Sequence, residues 1–322
     1  MVEFRPFQNS DPPRVRAVWQ AAGLGRGAAT NVDNEAFDFC NYSQPYFDPE
    51  GLILAIEPGP DGQPQAVGFV HAGFAATADG SRLDRTRGVI CAIAVRPEAR
   101  RRGIGRQLLA RAESYLTQRG ATQLAAGPSR LADPFFFGLY GGSRPSGFLE
   151  SDPLASVFFT ALGYSPGPRH GIYQRDLTND RDPANFRIVS IRRKSELRID
   201  ENPHQPSWWW YTHIGRLDSI NFQLVPRGGG DTLAELTAVG LDLFVPTWHE
   251  RVVGLCDLAV RADLQGKGYG QTLVIEVLRR LRLEMVTRAE IHSAESMKGV
   301  REVIAATGFE RVDTGVVYEK SV

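Results

Sequence analysis

At 322 residues the chain exceeds the length at which one hydrophobic core usually keeps growing, and its 42% hydrophobic and 23% charged content gives material for two cores of about 150 residues each. Lysine plus arginine equals aspartate plus glutamate at 37 each, and a formal net charge of zero argues against nucleic acid or an anionic membrane as the main partner. Three cysteines (Cys40, Cys91 and Cys256) without metal-ligand spacing, no stretch of ~18 apolar residues and no apolar run near Met1 lead to the expectation of a cytoplasmic, metal-free protein with reduced thiols.

Residues 2–7 read as a strand, and Asp11-Pro12-Pro13 starts a helix through Val15, Val18, Trp19 and Ala22 with Asp11 as its N-cap. A second helix is expected over about 34–41. Strands at 52–57 and 65–74 flank the turn Pro58-Gly59-Pro60-Asp61-Gly62, a hairpin. A longer strand at 87–95, a helix at 104–118 and a short strand at 123–126 follow. Residues 127–152 break into proline, glycine and aromatics, including Phe135-Phe136-Phe137, and an irregular stretch of that length is functional or packs as an ordered loop. A helix at 153–162 and a closing strand at 172–177 end the first half, and polar residues 178–185 read as a linker.

The second half is expected to open with a strand at 186–192. Trp208-Trp209-Trp210-Tyr211 places three of five tryptophans together; alternating strand faces would divide them between two environments, and packing is favoured over a substrate cleft. Gly228-Gly229-Gly230 punctuates a hairpin. Strands at 237–245 and 251–260, a helix at 269–284, a strand at 289–293, a helix at 299–307 and a closing strand at 316–319 complete the half. Each half thus reads as a mixed α/β unit.

One short pattern occurs twice. Arg100-Arg101-Arg102-Gly103-Ile104-Gly105 returns as Gln265-Gly266-Lys267-Gly268-Tyr269-Gly270, each after a strand-like run and before an amphipathic helix. The glycine pairs stand 165 positions apart, as 103 to 268 and 105 to 270 both give. The same register relates Cys91 to Cys256, Ala94 to Ala259, Val95 to Val260, Arg96 to Arg261, Leu108 to Leu273 and Leu116 to Leu281, so one structural unit is used twice. A Gly-rich turn entering a helix offers unsatisfied N–H donors and the positive end of the helix dipole to an anion. Arg101, Arg102, Arg106 and Lys267 add charge. The rival phosphate motifs fit poorly: G-x-x-x-x-G-K-[ST] is absent, and Leu108 and Leu273 stand where G-x-G-x-x-G needs its third glycine.

The pattern resembles the acetyl-CoA motif [QR]-x-x-G-x-[GA] of the GNAT acetyltransferase superfamily, carried by Arg100, Gly103 and Gly105 after Ile93-Ala94-Val95, and by Gln265, Gly268 and Gly270 after Leu258-Ala259-Val260. The late pairs Gly163-Tyr164 and Gly308-Phe309 extend the resemblance, which covers most of both halves. It implies two GNAT-like domains, 1–177 and 186–322. Each would be a central, mostly antiparallel twisted sheet with one parallel splayed strand pair and flanking helices. It implies acetyl-CoA as co-substrate and direct transfer of its acetyl group to a primary amine on a small molecule or peptide. The pyrophosphate would lie on Arg101–Arg106 (through Ile104 and Gly105) and on Gly266–Gln271. The pantetheine and thioester carbonyl would lie against Ile93–Val95 and Leu258–Val260, where a backbone N–H serves the oxyanion.

The chain departs from the family where proton transfer is concerned. The tyrosine often found four residues before the late glycine is Phe159 or Ile304, and the asparagine seven residues earlier is Asp152 or Met297. Tyr140 and Tyr164 are the remaining candidates for the acid. For a base, His71, Glu150 and Asp152 are the candidates in the first half and Asp257 and His292 in the second, with His249 weaker. The first half, with its more basic signature, is slightly favoured as the active one. A non-catalytic acyl-CoA-binding protein, or one catalytic unit beside one interaction unit, stays open.

Overall fold

The structure, a computed structural model, describes residues 1–179, 181–201 and 206–322. The chain forms two compact units, neither of them continuous in sequence. The first comprises Met1–Gly141, Pro145–Arg169 and Gly315–Val322, and the second Gly142–Arg144 and His170–Thr314. The compact units therefore do not follow the division at 177 and 186.

In the first unit β1 (Glu3–Pro6) leads to α1 (Pro12–Ala21). Asp11 precedes α1 without capping it; its carboxylate accepts instead from Arg5, Arg14 and the Gln8 N–H. α2 (Asn34–Phe37) is one turn capped by Asp33 and runs on into a π-turn over Asp38–Tyr42. β2 (Leu52–Pro58), β3 (Pro64–Ala76) and β4 (Leu83–Val95) are antiparallel neighbours. α3 (Ile104–Gln118) buries Ile104, Leu108, Ala112 and Leu116, an i, i+4 stripe that presses on β3 and β4. A Cβ on Gly68 would lie 3.2 Å from Leu108 and one on Gly88 2.9 Å from Leu116. After α3, β5 (Gln123–Ala126) pairs in parallel with β4.

The other face of that sheet carries α1 and the irregular loop, which is a packed one. Phe136 stacks on Trp19 at 5.2 Å, Phe135 stacks on His71 at 3.9 Å, and Gly141 N–H bonds Gly27 O at 2.7 Å. β6 (Phe148–Leu149) and α4 (Pro153–Ala161), capped by Asp152, follow, and β7 (Ser165–Asp176) begins in this unit.

The second unit opens on a helix where the sequence leads one to expect a strand. Residues 186–192 are not a strand but part of α5 (Phe186–Lys194), because the Asn185 side chain accepts from Ile188 N–H and starts a helix despite the β-branched run; the strand follows as β8 (Ser195–Asp200). The tryptophan cluster is likewise helical: Ser207 caps α6 (Trp208–Thr212), which buries Trp209 and Trp210 and leaves Trp208 and Tyr211 outward. β9 (Ser219–Pro226) and β10 (Ala234–Gly240) form the glycine hairpin. β10 stops short of the expected 245, and α7 (Val245–Trp248), with proline in its first turn, occupies the end. β11 (Val252–Val260), α8 (Tyr269–Leu283), β12 (Arg288–Ala294) and α9 (Lys298–Ala306) repeat the plan of the first unit, and β13 (Glu310–Ser321) ends the chain. α8 buries Leu273, Val274, Val277, Leu278 and Leu281 against Phe222, Leu224, Leu236, Leu255, Ala289 and Ile291.

The strand order is β1-β2-β3-β4-β5-β13 in the first unit and β8-β9-β10-β11-β12-β7 in the second, antiparallel except for β4/β5 and β11/β12. The closing strands are exchanged relative to the expectation from sequence. Residues His170–Asp176 of β7 close the second unit on β12, and residues 315–321 of β13 close the first unit on β5 and β6. Side chains select the partner. Arg175, buried, donates to Thr307 O and to Asp182 within the second unit, whereas Tyr318 stacks on Phe159 at 5.4 Å and Lys320 pairs with Glu113 at 2.9 Å within the first.

Candidate active site

The two signature turns have the same geometry. Arg101 (φ 60°) matches Gly266 (φ 70°), and Gly103 (φ 77°) matches Gly268 (φ 96°), each left-handed and each the residue before the helix. Glycine at 103 and 268 lets the chain reverse there without strain. The first helical N–H with a backbone acceptor is Gln107, onto Gly103 O at 3.1 Å, and in the second unit Thr272, onto Gly268 O at 2.9 Å. The N–H groups of Gly103–Arg106 and Gly268–Gln271 precede those bonds and have no backbone partner among the described residues. Gly105 and Gly270 are needed for packing: a Cβ there would lie 3.1 Å from Phe158 and 3.2 Å from Val260.

Side chains of the signature divide into braces and charges. Arg100 Nε donates to Val95 O at 3.0 Å and Gln265 Nε2 to Val260 O at 3.2 Å, so the first signature residue ties the turn back to its strand; Arg100 also donates to Ala22 O. Arg101, Arg106 and Lys267 are exposed around the N–H groups, while Arg102 is held by Glu57 at 2.6 Å. That ion pair lowers the Glu57 carboxyl and raises the Arg102 guanidinium. Tyr269 packs on the core of the second unit, and the Gln271 side chain donates to Ala306 O.

Ahead of each turn the parallel pair opens. β4 pairs with β5 only as far as Ile90↔Ala126, and β11 with β12 only as far as Leu255↔Ile291. A bulge marks each divergence, between Ile90 and Ala92 on β4 and between Cys256 and Ala259 on β11. Ile93, Ala94 and Val95, and likewise Ala259 and Val260, therefore keep one paired edge and present the other to the gap, with Leu258 beside Asp257 in the second bulge. Asp257 sits in the second bulge at φ 54°, a conformation rare for a residue with a Cβ.

The proton-transfer candidates of the first half are structural. The Tyr140 hydroxyl accepts from Leu149 N–H at 3.3 Å. Tyr164 is buried against Phe159, and burial, with Glu113 nearby, pushes its hydroxyl well above the usual range. Glu150 pairs with Arg169. His71 is fully buried between Phe135, Phe136 and Phe47, and burial holds its imidazole near a pKa of about 3, neutral. In the second half His249, at φ 56°, ends α7.

The second unit differs on the face of its sheet turned away from α8. In place of aromatics it carries Asn221, Gln223, Thr237, Glu290 and His292, all absent from the apolar cluster under α8. Glu290, 1% exposed, accepts from His292 Nε2 at 3.0 Å, from Gln174 Nε2 at 2.7 Å and from Ser143 N–H at 3.1 Å. A carboxylate only accepts, so Nε2 is the donor in this bond. His170 lies beside His292, and burial together with that neighbour holds it below the usual imidazole range. Asp257 Oδ2 accepts from Arg144 at 3.2 Å. His292 and Asp257 were visible in the sequence; Glu290, Gln174, Ser143 and Arg144 were not. An acidic residue two positions before a histidine in an apolar strand was the one local signal.

The sequence profile of the acetyltransferase (GNAT) family matches the chain twice, over residues 22–136 and 189–309, and the chain belongs to that family. It is similar to the mycothiol acetyltransferase of a Nocardioides species, 33% identical over 86 residues that span 26% of this chain and 28% of that enzyme. The fold resembles the glucosamine N-acetyltransferase region of a fungal multi-domain GH3 β-N-acetylglucosaminidase (TM-score 0.69, 16% identity), covering 99% of this chain and 38% of that one. It also resembles a tandem GNAT protein from the clavulanic acid biosynthesis pathway (TM-score 0.67, 19% identity), covering 100% of this chain and 98% of that one. Among the described residues no helix is long and apolar enough to cross a membrane.

Proposed function

We propose that this acetyltransferase moves an acetyl group from acetyl-CoA to a primary amine, with both signature turns binding acyl-CoA and the chemistry confined to the second unit. The observation that carries the assignment is the Glu290–His292 pair beside the opening of β11 and β12, where the first unit has Phe135 packed on a neutral His71. This reverses the slight preference for the first half that its basic signature suggested. N–H groups at the starts of α3 and α8 receive the pyrophosphate, with Arg101, Arg106 and Lys267 around them. In the second unit the His292 imidazole, oriented by Glu290, takes a proton of the incoming ammonium, and the free amine attacks the thioester carbonyl. The freed β11 edge offers N–H groups to the oxyanion, the carbon–sulfur bond breaks, and the departing thiolate takes the second nitrogen proton, so that amide and CoA thiol leave. The residue at the usual tyrosine position, Ile304, takes no part.

Calorimetric titration tests the cradles. Gly103→Glu and Gly268→Glu should each abolish binding at one turn, since either forces a charged side chain onto a left-handed residue beside the phosphate donors; undiminished binding in both would remove the phosphate assignment. Thiol release from acetyl-CoA with a panel of primary amines tests the chemistry. His292→Gln should lower kcat by about 10²- to 10⁴-fold, the range for a general base, with acetyl-CoA affinity kept. Wild-type turnover in that variant would sink the assignment, and so would silence of the native protein toward every amine.

A further inference from the structure

The tip of the long loop, Gly142-Ser143-Arg144, is encoded in the first half of the sequence yet belongs to the second compact unit. It does so through close approach. A Cβ on Gly142 would lie 1.9 Å from Glu290 Oε1, and Gly142 has φ 69°, so both space and conformation demand glycine. A Cβ on Gly254 would lie 2.4 Å from Ser143 Cβ, so β11 is also stripped to admit the tip. Two glycines on separate elements make room for one short contact.

That contact reaches both polar groups beside the opening. Ser143 N–H donates to Glu290 Oε1, the same oxygen that receives His292 Nε2–H, and Gln174 occupies Oε2. One residue further, Arg144 NH1 donates to the Asp257 carboxylate at the β11 bulge, with the Arg144 side chain only 15% exposed. We propose that Gly142–Arg144 is the positioning element of the second unit's acid–base centre: it fixes the Glu290 carboxylate, which fixes the tautomer and orientation of His292, and it holds Asp257 in its left-handed bulge. The claim rests on the reading of His292 as the base, but its structural part stands or falls separately. Buried carboxylates orient histidines through the hydrogen bond they accept, and a donor lost from such a carboxylate frees it to rotate.

The test uses the full chain labelled with ¹⁵N-histidine. The His292 signals, identified by their loss in His292→Gln, should show a single Nε2–H tautomer at neutral pH. In Gly142→Ala they should become a mixture of tautomers while acetyl-CoA affinity stays at the native value. Unchanged His292 signals in that variant would overturn the proposal. If Gly142→Ala does not fold, Glu290→Gln replaces it, in uniformly ¹⁵N-labelled chain: the Ser143 amide proton should move upfield as its charged acceptor disappears, and an unmoved Ser143 amide is the overturning result. Where an accepted amine is in hand, Gly142→Ala should lose kcat on the order of 10²-fold, as a misplaced catalytic group does. A tautomer change without any amine turnover in native protein would keep the positioning role and discard the base.

Discussion

Deleting Gly315–Val322 is expected to unfold the first unit and leave the second folded, although the deleted residues are the end of the second half of the sequence. Residues 315–321 of β13 pair with β5 from Tyr318↔Ala126 to Ser321↔Gln123, and with β6 at Gly315↔Leu149 and Val316↔Phe148. Val316, Val317 and Tyr318 are buried, Tyr318 stacks on Phe159, and Lys320 pairs with Glu113 on α3. Burial of three such side chains is worth about 1.5–3 kcal/mol each, on the order of 6 kcal/mol together. A unit of this size is stable by about 5–15 kcal/mol, so the loss takes most of it. The deletion also bares the edge of β5.

Hydrogen exchange locates the damage: amides of β2 to β5 should lose protection while those of β9 to β12 keep it. The reverse pattern would restore the closing strand to the second unit. Gly147→Val is the local version of the same test. A Cβ at Gly147 would lie 2.3 Å from the Val316 carbonyl and the residue has φ 85°, so it should weaken the first unit in the same region.

Why this exchange escaped the sequence is a matter of range. Residues 172–177 and 316–319 both read as short strands following a helix that ends in glycine and an aromatic, and nothing within either segment says which parallel pair it will join. The choice is made by Arg175 meeting Thr307 and Asp182, and by Tyr318 meeting Phe159, contacts more than a hundred residues apart except within Arg175–Asp182. The signature turns were legible for the opposite reason: a left-handed glycine before an amphipathic helix is a local requirement, written at 103 and again at 268.

Misread elements fall between these cases. Phe186-Arg187-Ile188-Val189 has the residue types of a strand, yet one Asn185 cap and the core seat of Ile188 and Ile191 make it helical. The candidate site divides in the same way. His292 stands out as a histidine near a strand end, whereas Glu290 becomes informative only when Gln174, Ser143 and His292 are seen to converge on it. Arg144 lies 113 positions from Asp257, beyond the reach of any spacing argument.

The segment expected to be a polar linker contains the residue whose loss should most damage the second unit. Asp182, with a side chain 3% exposed, accepts from Arg175 at 2.6 Å, Arg279 at 2.9 Å and Arg282 at 2.5 Å, and so fastens its part of the segment to α8 and β7; Asp180 lies outside the described residues. Asp182→Ala removes the anion shared by Arg175, Arg279 and Arg282, and breaking one side of such a network costs about 3–5 kcal/mol.

The same site makes stability depend on pH. Burial by itself would raise the Asp182 carboxyl, but hydrogen bonds and charge from Arg282 and Arg279, then Arg175, outweigh it and hold the pKa at about 2, below the ordinary 3.8. The unfolded chain therefore binds this proton first as the solution is acidified. The stabilisation is complete above about pH 4 and disappears as pH falls toward 2, a contribution of roughly 2 kcal/mol. Four of the five tryptophans, Trp208, Trp209, Trp210 and Trp248, lie in the second unit, so their fluorescence during urea unfolding reports on it. Asp182→Asn should lower the midpoint at pH 7 and flatten its acid dependence below pH 4, because the group that titrates is gone. Equal midpoints for native and variant protein at pH 7 would mean that the three arginines find other anions, and that the segment is a linker after all.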